Sequence, residues 1–298
     1  MCRKTLDMHT HTGASDGKGS ALDLLRASRK KGLRAVAVTD HDTVESAQWC
    51  YGYIRHIMES GMDADVTMVP GVEFSSYMMR RGETDIVHVL GLGVDPFEDG
   101  LCSWCDRLGS AHEEQLFDLL GVARSKGLGL EPDAEARVLM RSSWGRGDIA
   151  REEVLMGRFE SVHDAYTALW GTTRETIDLR QYIPAEQAVE TIHCAGGLAV
   201  LGHPLRDEMQ RCMIPLVDAV ERMDILVACG LDGAECYYSA FELSQCEGLE
   251  NAARKRSLIV SAGSDHHDYR NRFRLGRTCA DGENYGCRTD ILEALGLA

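Results

Sequence analysis

Short apolar runs rich in β-branched residues recur along the chain, and most lead into stretches with apolar residues three and four positions apart. The runs Thr5–His9, Ala35–Thr39, Val66–Glu73, Ile86–Gly91, Leu198–His203, Gly233–Tyr237 and Leu258–Gly263 predict strands. The stretches Ser20–Lys31, Thr43–Ser60, Ala185–Cys194, Met209–Val227 and Ala240–Lys255 predict helices. Ser20 with Asp23 three residues on has the pattern of a capping box, and Pro184 stands where a helix can begin. Strand alternating with helix implies a parallel sheet with right-handed crossovers, and the number of units suggests a closed or distorted barrel. From about Asp95 to Tyr182 the rhythm breaks. Helices are expected at Leu101–Ser125, Asp148–Met156 and Val162–Leu169, with no clear strand. Residues 96–182 are therefore expected to be a helical insert capping the active site, and residues 1–95 and 183–298 the barrel.

The chemistry-bearing residues gather where these strands end. His9 and His11 share one side of an extended segment, because side chains alternate along a strand. Asp16 follows in a Gly-rich loop that could turn its carboxylate back toward them. Asp40-His41-Asp42 closes the second strand, Glu73 the third, and His88 lies on the fourth. Gly202-His203-Pro204 and Asp265-His266-His267 end later strands. The carboxyl ends of barrel strands are where active sites form. A lone histidine at a strand end is more often capped or packed than a ligand. Here six of the 11 histidines stand in such places with acidic companions, which points to a cluster of transition-metal ligands. His56, His112, His163 and His193 fall in helical stretches away from these motifs and read as surface or packing residues.

Composition narrows the picture further. The balance of 47 acidic and 32 basic residues, −15 in all, disfavours long nucleic acids, whose binding depends on many Lys and Arg contacts. It leaves small phosphate esters open, since bound divalent ions reverse the local sign. The 11 cysteines are scattered and odd in number, so a reducing compartment is expected, and Cys102-x-x-Cys105 reads as a chance pair on a helix. No run approaches the ~20 apolar residues of a membrane span, and no secretory leader is evident, so a soluble cytoplasmic protein is the expectation. Neither a Walker loop nor a dinucleotide fingerprint is present.

Taken in order, Asp7-x-His9-x-His11, Ser15-Asp16-Gly17, Thr39-Asp40-His41-Asp42, Gly71-Val72-Glu73, His88, Gly202-His203-Pro204 and Ser264-Asp265-x-His267 resemble the motifs of the PHP (polymerase and histidinol phosphatase) family. The chain looks most like the small stand-alone bacterial members with a helical insert. The resemblance implies an α/β fold, a distorted (β/α)7 TIM-like barrel, with up to three divalent metals, Mn, Zn or Fe. It implies one metal on His9, His11, Glu73 and Asp265, a second on Glu73, His88 and His203, and a third on Asp16, His41 and His267. The Asp-x-His spacing selects His267 over His266. Arg206 after His203-Pro204 and Arg146 at the end of the insert match family arginines and are candidates to hold phosphate. Where many insert-bearing relatives read Arg-Pro-His, this chain reads Arg146-Gly147-Asp148, so a carboxylate replaces an imidazole. Asp148 would repel a dianionic monoester more than a monoanionic diester.

The implied activity is metal-dependent hydrolysis of a small phosphate ester, with a metal-bridging hydroxide attacking phosphorus. The substrate would be a phosphodiester, possibly cyclic, or a monoester of sugar-phosphate or nucleotide type. Alternatives are a 3′,5′-nucleotide bisphosphate phosphatase, a 5′–3′ exonuclease of short oligonucleotides, a histidinol phosphatase, a metal-dependent amidohydrolase, or a non-catalytic PHP module. The ester is the only partner implied, and the oligomeric state is left open.

Overall fold

The computed structural model describes residues 5–61, 65–139, 146–171, 178–208, 212–267 and 274–297. In chain order its elements are β1 (Leu6–Asp7), α1 (Ala21–Lys31), β2 (Ala35–Val38), α2 (Glu45–Ser60), β3 (Thr67–Arg80) and β4 (Glu83–Leu92). Four helices follow: α3 (Asp99–Ser125), α4 (Pro132–Leu139), α5 (Arg146–Leu155) and α6 (Val162–Trp170). The chain continues with β5 (Ile183–Pro184), α7 (Ala185–Cys194), β6 (Leu198–Leu201), β7 (Arg206–Asp207), β8 (Cys212–Met213), α8 (Leu216–Val227), β9 (Gly233–Tyr238), α9 (Leu243–Arg254), β10 (Ile259–Gly263) and α10 (Ile291–Ala294). The Ser20–Asp23 capping box forms at the start of α1, and Pro184 caps α7.

The main sheet runs β1-β2-β3-β4-β6-β9-β10, with β5 paired to β3. It closes on itself where Met8 N–H donates to Ala262 at 2.9 Å and Asp265 N–H donates to His9 at 2.9 Å. The result is the expected distorted barrel of an α/β fold, with one correction. β4 is antiparallel to both β3 and β6, whereas the other neighbours along this order pair in parallel. The reason is local. Arg80 pairs with Glu83 across a two-residue loop in which Arg81 has φ 53° and Gly82 φ 81°, the left-handed pair of a tight hairpin. The hairpin lengthens β3 to Arg80, so Glu73 lies within its strand rather than at the end, and His88 lies within β4 as expected. Ser75 faces His88 across the ladder, which sets His88 on the same sheet face as Glu73.

Two other expectations are revised. The helix expected from Met209 begins at Leu216, because Cys212–Met213 instead pairs back on Arg206–Asp207; residues 209–211 lie outside the described ones. The short helix α4 was not foreseen.

Two hydrophobic clusters matter for the site. The larger fills the barrel and includes Leu101, Cys105 and Leu108 from the first half of α3. A second joins Leu116, Leu119, Leu120 and Ala123 from the rest of α3 to Val138, Ile149, Ala165 and Leu169. Helix α3 thus roots in the barrel core and then organises α4–α6. Cys102 and Cys105 are free thiols on this helix.

Candidate metal centre

Glu73 is the hub. It is wholly buried, and its two oxygens meet five imidazoles: Oε2 lies 3.1 Å from His9 Nε2, 3.1 Å from His11 Nε2 and 3.2 Å from His41 Nδ1, and Oε1 lies 2.8 Å from His88 Nδ1 and 3.1 Å from His203 Nε2. Asp265 Oδ1 stands 3.1 Å from His11 Nε2 and 3.6 Å from His9 Nε2. At the opposite edge Asp16 meets His267 Nε2 at 3.0 Å and His11 Nδ1 at 3.7 Å. Four overlapping groups of donors result: His9, His11, Glu73 and Asp265; His11, Asp16, His41 and His267; His41, Glu73 and His88; and His88, His203 and Glu208. All nine residues expected as ligands are therefore brought together. His267 takes part, and its neighbour His266 instead aligns its backbone with Thr10.

The local backbone makes this crowding possible. A Cβ at Gly263 would run into His9 and Glu235, and one at Gly17 would sit 2.6 Å from the His11 carbonyl. Only glycine lets these segments approach the histidines so closely. His203 has φ 24° and Asp265 φ 55°, left-handed conformations that cost on the order of 1–3 kcal/mol each and that cluster at functional sites.

A set of buried groups holds the cluster from behind. His9 Nδ1 faces Glu235 Oε1 at 3.1 Å, and Glu235 also accepts the His203 backbone N–H at 2.8 Å. Tyr238 donates to Asp265 Oδ2 at 2.8 Å. Asp7 accepts from the Ser264 N–H at 2.8 Å and the Gly276 N–H at 2.6 Å, and burial pushes its pKa up to about 6. Asp40 accepts from Thr12 N–H at 2.7 Å and Ser15 Oγ at 2.6 Å, bracing the loop that carries Asp16.

The electrostatics fit a cation. Burial opposes charge on His11 and His203, but neighbouring carboxylates outweigh it and lift their pKa values to about 10 and about 9. His9 is likewise raised against its burial by Glu73, Glu235 and Asp265. Burial would push Glu73 and Asp265 up, yet the surrounding histidines hold both well below the usual carboxylate range. His9 Nε2, both ring nitrogens of His11, His41 Nδ1 and Glu73 Oε2 are buried without a hydrogen bond of proper geometry. Orphaned buried polar atoms are costly and rare, and a divalent ion among them would satisfy them together and take the place of the histidine protons. Imidazole and carboxylate donors without thiolate suit Mn, Zn or Fe.

The arginines differ in placement. Arg206 borders the cluster, with Nη1 2.7 Å from the Tyr238 hydroxyl and 3.3 Å from Asp265 Oδ2. Arg146 and Asp148 lie on α5, where Arg146 stands over the Trp170 ring and Asp148 pairs with Arg151 at 2.7 Å. No described contact joins either to the histidine cluster. His112 Nε2 on α3 lies 3.3 Å from Asp42 Oδ2, beside His41 in sequence, and neither residue is in the four donor groups. Glu235 and Glu208 were missed. The signal for Glu235 was a charged residue inside the apolar run Gly233–Tyr238.

Barrel and cluster together define a class, the metal-dependent barrel hydrolases. Residues 7–143 match the family model described as the PHP domain. A phosphoribosyl 1,2-cyclic phosphate 1,2-diphosphodiesterase from Eggerthella lenta is 27% identical over 88% of this chain and 93% of its own. A 5′–3′ exoribonuclease from Escherichia coli is 28% identical over 91% of this chain and 88% of its own. A solved structure from Bifidobacterium adolescentis, assigned as a metal-dependent phosphoesterase, superposes with a TM-score of 0.71 at 25% identity, covering 97% of this chain and 96% of that one. Residues 7–143 thus carry a PHP domain, and over most of its length the chain is similar to phosphoesterases.

Proposed function

We propose that the protein hydrolyses small phosphate esters, phosphodiesters foremost, at divalent metals held by His9, His11, Asp16, His41, Glu73, His88, His203, Asp265 and His267. The observation that carries this is the buried Glu73 carboxylate with five imidazoles around it. Such a group is costly to bury unless metal joins it. When bound, the ions supply a nucleophile at neutral pH and stabilise charge on the entering and leaving oxygens.

The chain's own residues do the rest. Glu73 divides the site into two halves, one oxygen facing His9, His11 and His41 and the other facing His88 and His203. Arg206, 28% exposed at the edge, is the guanidinium within reach of an ester phosphate, steadied by Tyr238. The insert closes the site from the α3 side through His112 and Asp42, and Arg146 and Asp148 act on substrate only if α5 draws toward the mouth. Small esters are favoured over long nucleic acid by the charge of −15. Diesters are favoured because the two curated relatives described above are named for diester cleavage, and because an acidic residue stands at Asp148.

The test is metal-replete turnover of a panel of cyclic, nucleotide and sugar phosphates, with His9→Asn and Asp148→His beside the wild type. Diester cleavage that is lost in His9→Asn is expected. A shift toward monoesters in Asp148→His would place that carboxylate at the substrate. No cleavage of any ester by protein with metal bound would refute the reading.

A further inference from the structure

Two histidines of the cluster are each backed by a carboxylate on the ring nitrogen that faces away from Glu73. For His9 the partner is Glu235, deep in the barrel. For His203 it is Glu208, whose buried Oε1 lies 3.1 Å from Nδ1, in ion-pair range though not aligned as a hydrogen bond, while Nε2 lies 3.1 Å from Glu73 Oε1. His203 is 3% exposed and held in a left-handed backbone conformation, and its ring packs against His88 and Tyr238. Glu208 sits at the end of the β7 turn, near the mouth, and its Oε1 also lies 3.4 Å from Arg206 Nε.

We propose that Glu208 is a positioning residue for the metal held by Glu73, His88 and His203: it fixes His203 with the proton on Nδ1 and the lone pair of Nε2 aimed at the ion, and it restrains Arg206 at the same time. This rests on the metal centre proposed above. A carboxylate behind a ligating imidazole holds the ring's tautomer and orientation, and its loss typically weakens metal affinity about 10–100-fold. The position is peculiar in coming from a short exposed β-ribbon rather than from the barrel. Metal loading in this half of the site is thereby tied to the guanidinium that borders the substrate.

The test is Mn²⁺ titration of metal-stripped protein by calorimetry, with bound metal counted by elemental analysis, on wild type, Glu208→Gln and Glu208→Ala. A glutamine carbonyl can still accept from Nδ1–H, so a graded loss is expected: severalfold for Gln and about 10–100-fold for Ala, at one metal only. The affinities of the remaining metals and the melting point of the stripped protein should match wild type. At saturating Mn²⁺, inorganic phosphate should bind Glu208→Gln more tightly, because Arg206 is released from a competing carboxylate. Equal and complete loss of one metal in both variants would make Glu208 a direct ligand and overturn the positioning role. So would unchanged affinities, or a phosphate affinity that does not rise. A wild type that binds no Mn²⁺ would instead refute the metal centre itself.

Discussion

Arg222 offers the sharpest test of how the site is held. Its side chain is 2% exposed on α8, and it ties two parts of the centre together. Nε and Nη2 grip both oxygens of Asp85 on β4 at 3.0 and 2.6 Å, three residues before His88. Nη1 donates to the carbonyls of Pro204 and Arg206 at 3.2 and 2.5 Å, in the loop that carries His203. Arg222→Leu removes all four bonds. Breaking a buried pair costs about 3–5 kcal/mol, and each stranded carbonyl adds about 1 kcal/mol. Asp85 keeps Arg80 at 2.5 Å, which offsets part of this, so the expected loss is ~3 kcal/mol. At roughly 2 °C per kcal/mol for a chain of this size, the melting midpoint should fall by about 6 °C. The assay is thermal unfolding with chelator present, so that metal does not contribute. The exposed pair Arg256–Asp224 supplies the control: Asp224→Ala should cost under about 1 kcal/mol. The effect also has a pH signature. Burial alone would raise Asp85, but Arg222 and Arg80 hold it below the ordinary value. A lowered carboxyl stabilises fully above its unfolded value of about 3.9 and loses that contribution as pH falls through the folded one. The gap between wild type and Arg222→Leu should therefore be constant near neutrality and shrink in acid below about pH 4. A midpoint within about 1 °C of wild type, or a gap that does not narrow in acid, would refute the clamp.

Three further outcomes are expected. Glu73→Gln should abolish turnover and strip bound metal in both halves of the site, as read by elemental analysis; retention of full metal would show that another group is the hub. Gly263→Ala should displace His9 and Glu235 and lower both melting point and metal content, whereas Gly109→Ala, with open space at its Cβ, should not harm either. Adding Mn²⁺ at about 100 times its dissociation constant should stabilise the protein by about 2.7 kcal/mol, seen as a higher melting midpoint that His9→Asn lacks.

What the sequence made legible follows from periodicity. The two-residue spacing of His9 and His11 survives folding because an extended chain keeps such side chains on one face, and the strand-end positions of Asp40-His41 and Asp265-x-His267 survive because barrel loops open at one rim. The reversal of β4 was written in two residues, Arg81-Gly82, yet a hairpin inside an alternating pattern is easily absorbed into a run of parallel units. That one turn moves Glu73 from an expected strand end to a strand interior, and it sets His88 on the neighbouring antiparallel strand, on the same sheet face. Glu208 and Glu235 were harder, since neither belongs to a spaced motif. Glu235 is visible only as a charge in a buried run. Glu208 follows His203 by a turn whose course depends on β7 pairing with β8, a contact that no local pattern encodes. The residues proposed to coordinate were thus readable from spacing, while those proposed to aim them depend on tertiary packing.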